Sequence, residues 1–169
     1  MIRILFDEHG AYTNDLFVRI DATPTKVLVA DTTWLSDFFG TYDPDPNAWL
    51  LDEEQILLMQ KKNVALLINL WINSLLSDEQ VCYLPVNLSD QSSEALQITK
   101  AKKLFYISRA STIDIVDGLT ERYFSENQAN ITWHVNNSRR WAIAPKSILT
   151  GLNWSLTRLQ LPIVPLQYE

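Results

Sequence analysis

The chain has 169 residues, 47% of them hydrophobic and 20% charged, and carries a net charge of -6. These values are typical of a globular protein and exclude a disordered or fibrous one, and the length fits a single domain over residues 1–169. The strongest apolar run, VALLINLWINSLL, contains two asparagines and is shorter than the roughly 20 apolar residues that a membrane-spanning helix needs.

Three strands are predicted in the first thirty residues. IRILFD and LFVRID lie on either side of the loop EHGAYTN, and KVLVAD follows the turn ATPT. Strands this close in sequence predict an antiparallel meander. TTWLSDFFG then predicts a short helix, capped by Thr32 or Thr33 and ended by Gly40.

The longest predicted helix runs from Asp52 to Leu76. Glu53 and Glu54 fall in its first turn, where carboxylates interact favourably with the helix dipole. From Val64 onward the helix is apolar on nearly all sides, so we expect it to pack across a sheet.

The second half of the chain mixes strands and helices. VCYLPVNL predicts a strand, SDQSSEA a polar loop and KLFYISRA a further strand. STIDIVDGLTERYFSEN predicts a helix that Ser111 caps, with Ile113, Val116, Leu119 and Phe124 facing inward. NITWHV and RRWAIA predict a β-hairpin around NNS, PKSILTGLNWSL a helix with Pro145 first, and TRLQLPIVPL a last strand.

These elements predict an α+β fold. We expect a largely antiparallel sheet of about six to eight strands, packed against the long helix over residues 52–76 and accompanied by two or three shorter helices. Cys82 is the only cysteine and lies in a predicted buried strand, so no intramolecular disulfide is possible. A lone buried cysteine suits a reducing compartment, and MIRILFDEHG does not resemble a secretory signal, so we predict a cytoplasmic protein.

The negative charge is concentrated in one segment. Between Val27 and Gln60 there are seven acidic residues and no lysine or arginine, while the rest of the chain carries 13 acids and 14 bases. A local field of this kind attracts a basic partner and speeds its association.

Aromatic residues accompany these acids, a combination typical of protein-binding surfaces. We expect Trp34, Phe38 and Phe39 to face the core, which leaves Tyr42 and Trp49 as exposed anchors. A solvated loop leading into a helix is the simpler alternative. The predicted partner-binding residues are Asp37, Tyr42, Asp43, Asp45, Trp49, Asp52, Glu53 and Glu54.

The same segment does not match a metal-binding loop. Asp43, Asp45, Asn47 and Asp52 supply oxygens, but prolines alternate with them and no glycine provides the sharp turn that a calcium loop needs. We predict no metal and no cofactor.

Catalytic motifs are missing from the sequence, which has no Gly-x-Ser-x-Gly elbow, Cys-x-x-Cys pair or glycine-rich phosphate loop. We therefore predict that the protein is not an enzyme. The alternative is a small enzyme or ligand-binding protein with a cleft near the loop Asp7–His9, where a histidine beside acids could transfer protons. Direct nucleic-acid binding is not expected, because KAKK and NNSRRW are small basic clusters in a chain with a pI near 4.9.

The predicted function is recognition and blocking of a basic protein by a small acidic one. A bacterial immunity protein or antitoxin, which inhibits a basic nuclease toxin, has these properties. A third alternative is a structural or oligomer subunit, which an exposed apolar C-terminal LPIVPLQY would favour.

Overall fold

The computed structural model describes residues 1–9, 15–41, 52–89, 92–112 and 120–160, which contain seven strands and four helices. The strands are β1 (Ile2–Phe6), β2 (Leu16–Ile20), β3 (Lys26–Ala30), β4 (Val81–Ser89), β5 (Ser92–Lys100), β6 (Phe105–Thr112) and β7 (His134–Ile143). The helices are α1 (Thr33–Phe39), α2 (Glu53–Leu76), α3 (Glu121–Asn127) and α4 (Pro145–Arg158).

The strands form two antiparallel sheets, one in the order β1-β2-β3 and the other in the order β4-β5-β6-β7. The α+β class and the long helix are thus confirmed. The strand number of the described residues also falls within the predicted range, although the strands are divided between two sheets. One cluster of buried side chains includes residues of both sheets and of all four helices.

The N-terminal meander forms as the alternation of its side chains predicts. Ile4 pairs with Val18, which in turn pairs with Leu28, and all three side chains are buried on one face of the sheet. On the other face, Val27 and Val29 are exposed. The alternation of side chains between the two faces of the sheet therefore determines which residues enter the core.

Helix α4 covers the outer edge of β1. The Ser155 hydroxyl accepts a hydrogen bond from the Ile4 amide at 2.9 Å and donates one to the Gly151 carbonyl at 3.0 Å. A β-carbon at Gly151 would overlap the carbonyl oxygen of Ile2. Because residue 151 is a glycine, α4 can approach the edge of β1 closely. The helix thereby covers backbone groups of β1 that would otherwise be unpaired.

The helix predicted within the acidic segment and the long helix predicted at its end are both present. Gly40 ends α1 in the left-handed conformation, with φ of 61°. Thr32 precedes α1, but its hydroxyl donates to the buried carboxylate of Asp15 at 2.6 Å instead of capping the helix. In α2, the indole of Trp71 donates to the carbonyl of Pro85 in β4 at 3.0 Å, which ties the helix to the second sheet.

Two predictions for the middle of the chain are wrong. SDQSSEA does not form one polar loop, because β4 continues to Ser89 and β5 begins at Ser92. Ser111 does not cap a helix but lies in β6, and Thr120 caps α3 instead, where its hydroxyl accepts from the Tyr123 amide at 3.3 Å. Ile113, Val116 and Leu119 lie outside the described residues, while Phe124 is buried as expected.

The predicted hairpin around NNS is also wrong, since His134 and Val135 of its first half lie in the same strand, β7, as residues 139–143 of its second half, and this strand pairs with β6. Ser108 of β6 pairs with Arg140, and the next residue, Arg109, pairs with Asn136. Residues 137–139 therefore have no partner in β6 and form a bulge of three extra residues.

The C-terminal strand prediction is contradicted where it can be compared. Thr157 and Arg158 lie in the last turn of α4 and not in a strand. The rest of that prediction, including LPIVPLQY, falls on residues 161–169, which lie outside the described residues. In the part of the chain that the structure describes, no helix is both long and apolar enough to cross a membrane.

Candidate functional site

A groove lies between the loop that follows β1 and the first turns of α2, and it has a volume of about 610 Å³. We call it the acidic groove. Its described lining consists of Glu8, His9, Glu53, Glu54, Ile56, Leu57 and Gln60. It therefore brings together the loop Asp7–His9 and the acidic start of α2, which are more than forty residues apart in sequence.

The acids of α2 are held in place by a capped helix end. Asp52 accepts a hydrogen bond from the Gln55 amide at 2.8 Å, and the Gln55 side chain accepts one from the Asp52 amide at 3.2 Å. This reciprocal capping box satisfies two backbone donors that the helix leaves free. Glu53 and Glu54 follow in the first turn, where both are exposed.

The opposite wall is fixed by the short loop after β1. The Asp7 amide donates to the Asp15 carbonyl at 2.8 Å, which extends the pairing of β1 with β2. The His9 amide donates to the Asp7 carboxylate at 3.0 Å. Glu8 then pairs with Lys61 of α2 at 2.9 Å, and Lys61 is only 16% exposed. The loop is thereby attached to the helix.

The floor of the groove is partly apolar. Ile56 and Leu57 are half-buried and follow Glu53 by three and four residues, so they share its face of the helix. Lys61 neutralises Glu8, whereas Glu53 and Glu54 have no ion pair within the described part of the chain. The groove thus offers two unpaired carboxylates beside apolar surface, which suits the aliphatic stem and charged end of a lysine or arginine.

The structure describes four of the predicted partner-binding residues, Asp37, Asp52, Glu53 and Glu54. Glu53 and Glu54 line the acidic groove, but Asp37 is exposed on α1 and does not line it. The Asp52 side chain caps its own helix by accepting a hydrogen bond from the Gln55 amide. The other four predicted residues, Tyr42, Asp43, Asp45 and Trp49, lie outside the described residues.

The expected core face of α1 is largely confirmed. Trp34 and Phe38 are buried, and Phe39 is half-buried with its ring 4.9 Å from that of Phe38. Sequence reasoning missed the apolar floor, Ile56 and Leu57, and the ion pair of Lys61. The spacing of three, four and seven residues from Glu53 to Ile56, Leu57 and Gln60 is the signal that could have identified the floor.

The groove holds four side chains of types that bind metals, but no set of three His, Cys, Asp or Glu among the described residues is arranged to hold an ion. Asp7, Glu8 and His9 are all exposed. Chemically, the arrangement offers exposed negative charge and a hydrophobic floor.

Comparison with protein-family models, with curated proteins and with solved structures finds no match to this chain.

Proposed function

We propose that this protein binds a positively charged segment of another protein in the acidic groove. The observation that supports the proposal is the placement of the unpaired carboxylates Glu53 and Glu54 beside Ile56 and Leu57. Binding a cationic side chain there would form charge-assisted hydrogen bonds with the carboxylates and cover the apolar floor.

The size of the acidic groove suits a short protruding segment of the partner protein, and not a large flat surface. Its volume of about 610 Å³ is in the range of cavities that hold a drug-sized molecule, which corresponds to a few side chains of a protruding loop. The other five acids between Val27 and Gln60 would add long-range attraction beyond the groove itself. Association should therefore be fast and should slow as salt is added.

We further propose neutralisation of a basic nuclease toxin in the bacterial cytoplasm as the biological setting. Nucleases hold phosphates with lysine and arginine, and carboxylates on a rigid helix start can occupy the positions that phosphates take. The one cysteine, Cys82, is a buried free thiol, as in proteins of reducing compartments. Inhibition would result from occlusion of the nuclease cleft.

A second candidate function uses the same groove, because it places His9 opposite Glu53 and Glu54. A histidine facing carboxylates could act as a general acid or base on a small ligand. Catalytic carboxylates are often buried, with perturbed pKa values, whereas Asp7, Glu8 and His9 are exposed. Protein binding is therefore the better supported of the two.

Partner capture with charge variants tests the proposal. The tagged protein and its Glu53→Gln/Glu54→Gln variant are incubated with host lysate at low and moderate salt. The matched control is Asp78→Asn/Glu79→Gln, which removes the same charge from exposed positions just beyond the other end of α2. We expect a basic protein to be retained by the wild type and the control and lost from the groove variant.

Association kinetics with the captured protein complete the test. The groove variant should associate several-fold more slowly, and its rate should depend less steeply on salt than that of the control. Equal capture by all three proteins would overturn the proposal. If instead His9→Gln abolishes turnover of a small molecule while the groove variant keeps its partner, the second candidate is correct.

A further inference from the structure

A second groove, outside the acidic one, lies between β3 and the bulge of β7. We call it the basic groove. It has a volume of about 240 Å³ and is lined by Lys26, Arg109, Asn136, Ser138, Arg139 and Trp141. A neighbouring cavity of about 320 Å³ runs along β3 and shares Lys26 and Arg109 with it. Cations from three different strands therefore line one concave surface.

The bulge of β7 brings one of these cations to the groove. Because residues 137–139 have no partner in β6, the chain leaves the sheet between Asn136 and Arg140. The Asn136 side chain holds this excursion by accepting hydrogen bonds from the amide and the hydroxyl of Ser138, at 3.0 and 2.5 Å. Bulges redirect side chains and are common beside functional sites. Here the bulge carries Ser138 and Arg139 into the lining.

The wall of the groove is fixed by Trp141. Its side chain is almost fully buried, and its indole nitrogen donates to the carbonyl of Pro24 at 3.2 Å, which links β7 to the loop before β3. The adjacent Arg140 does not line the groove, and its guanidinium lies 4.4 Å from the centre of the Tyr106 ring. Of the two consecutive arginines, only Arg139 therefore lines the basic groove.

The basic groove has more positive than negative charge. One terminal nitrogen of Arg109 contacts both carboxylate oxygens of Glu94, at 2.8 and 2.9 Å, so that charge is neutralised and its guanidinium is oriented. Lys26 and Arg139 have no ion pair among the residues that the structure describes. The groove therefore keeps two positive charges, in a chain whose net charge is -6.

We propose that the basic groove binds the phosphate group of a small phosphomonoester. A phosphomonoester carries about 1.5 to 2 negative charges at neutral pH, which matches the unpaired charges of Lys26 and Arg139. The volume exceeds that of a few water molecules, each of which takes about 30 Å³ in the liquid, so it also accommodates a small organic group. This inference is independent of the acidic groove.

Titration followed by NMR tests the inference. Phenyl phosphate and inorganic phosphate are added to the labelled protein at low ionic strength, and the indole N–H signal of Trp141 reports on the groove. We expect saturable shifts of this signal with either ligand. Lys26→Gln and Arg139→Gln should each weaken binding by about tenfold, because each removes a charge-assisted contact to phosphate.

The matched control is Lys103→Gln, which removes an exposed lysine from the turn between β5 and β6 and should leave the affinity within about twofold. Equal weakening by all three variants, or shifts of Trp141 that do not saturate, would overturn the proposal. A methyl phenyl phosphodiester or a short oligonucleotide that binds as tightly as phenyl phosphate would also overturn it, since the site would then recognise the backbone of a nucleic acid.

Discussion

Glu8 and Lys61 form an ion pair of 2.9 Å that attaches the loop after β1 to the third turn of α2. Lys61 is nearly buried and Glu8 is partly exposed, with 16% and 44% of their side chains accessible. Because Glu8 lines the acidic groove and Lys61 follows the lining residue Gln60, the pair links the two walls. It also leaves Glu53 and Glu54 as the carboxylates that remain free for a ligand.

A double-mutant cycle measures what this ion pair contributes. We expect Glu8→Gln and Lys61→Met to show a coupling free energy of about 0.2 to 1 kcal/mol in chemical unfolding, because water screens the exposed end of Glu8. Methionine keeps the packing of the lysine stem, so the cycle isolates the charge. Additive effects of the two substitutions would mean that the pair does not hold the loop.

The capping role of Asp52 gives a second prediction. Asp52→Ala removes the side-chain half of the capping box and should lower the free energy of unfolding by about 0.5 to 2 kcal/mol. Asp37→Ala, at an exposed carboxylate on α1, should change it by less than about 0.5 kcal/mol. If both variants unfold alike, the box does not stabilise α2. Thermal and urea unfolding of the two variants provide the comparison.

The parts of the fold that could be predicted depend on local pattern. The meander of β1 to β3 and helix α2 follow from side-chain periodicity, and Gly40 and Pro145 occupy the helix ends that suit them. Strand β5 was missed because SSEALQITK contains many polar residues. It pairs with strands on both sides, so tertiary contacts override its weak local preference.

The bulge of β7 and the grooves could not be predicted for a different reason. NNS has the composition of a hairpin turn, which predicts that the segments on its two sides pair with each other. In the structure, both segments pair with β6 instead. Charge along the sequence indicated Glu53 and Glu54, which line the acidic groove. It could not separate them from Asp37, nor show that Glu8 lies opposite, because distance along the chain does not determine distance in space.

The close contact of α4 with β1 predicts that position 151 accepts no residue larger than glycine. Gly151→Ala places a methyl group against the carbonyl oxygen of Ile2, so the helix must move and the hydrogen bond from the Ile4 amide to Ser155 must lengthen. We expect a loss of about 1 to 3 kcal/mol in the free energy of unfolding, despite the higher helix propensity of alanine.

Asn153→Ala provides the control on the same helix, since Asn153 is exposed and its substitution gains helix propensity without a clash. This variant should be as stable as the wild type or slightly more stable. A Gly151→Ala protein that is stabilised to the same extent would show that α4 does not rest directly on the strand edge.

The pH dependence of stability is predicted from Asp21, which joins two arginines of the first sheet. Its carboxylate accepts from Arg3 Nε at 3.1 Å and from Arg19 Nε at 2.6 Å. The hydrogen bonds from Arg3 and then Arg19 lower the pKa of Asp21 below its ordinary value. The unfolded chain therefore binds this proton at a higher pH than the folded one.

The stabilisation by Asp21 is consequently complete above about pH 4, the ordinary pKa of an aspartate, and is lost as the pH falls through the lowered pKa of the folded state. We expect the difference in unfolding free energy between wild type and Asp21→Asn to be constant near neutral pH and to shrink in acid. Arg3→Met, which removes two hydrogen bonds to Asp21 where Arg19 makes one, should reduce this pH-dependent difference. Urea unfolding over a series of acidic buffers measures it, and a difference that does not vary with pH would contradict the role assigned to Asp21.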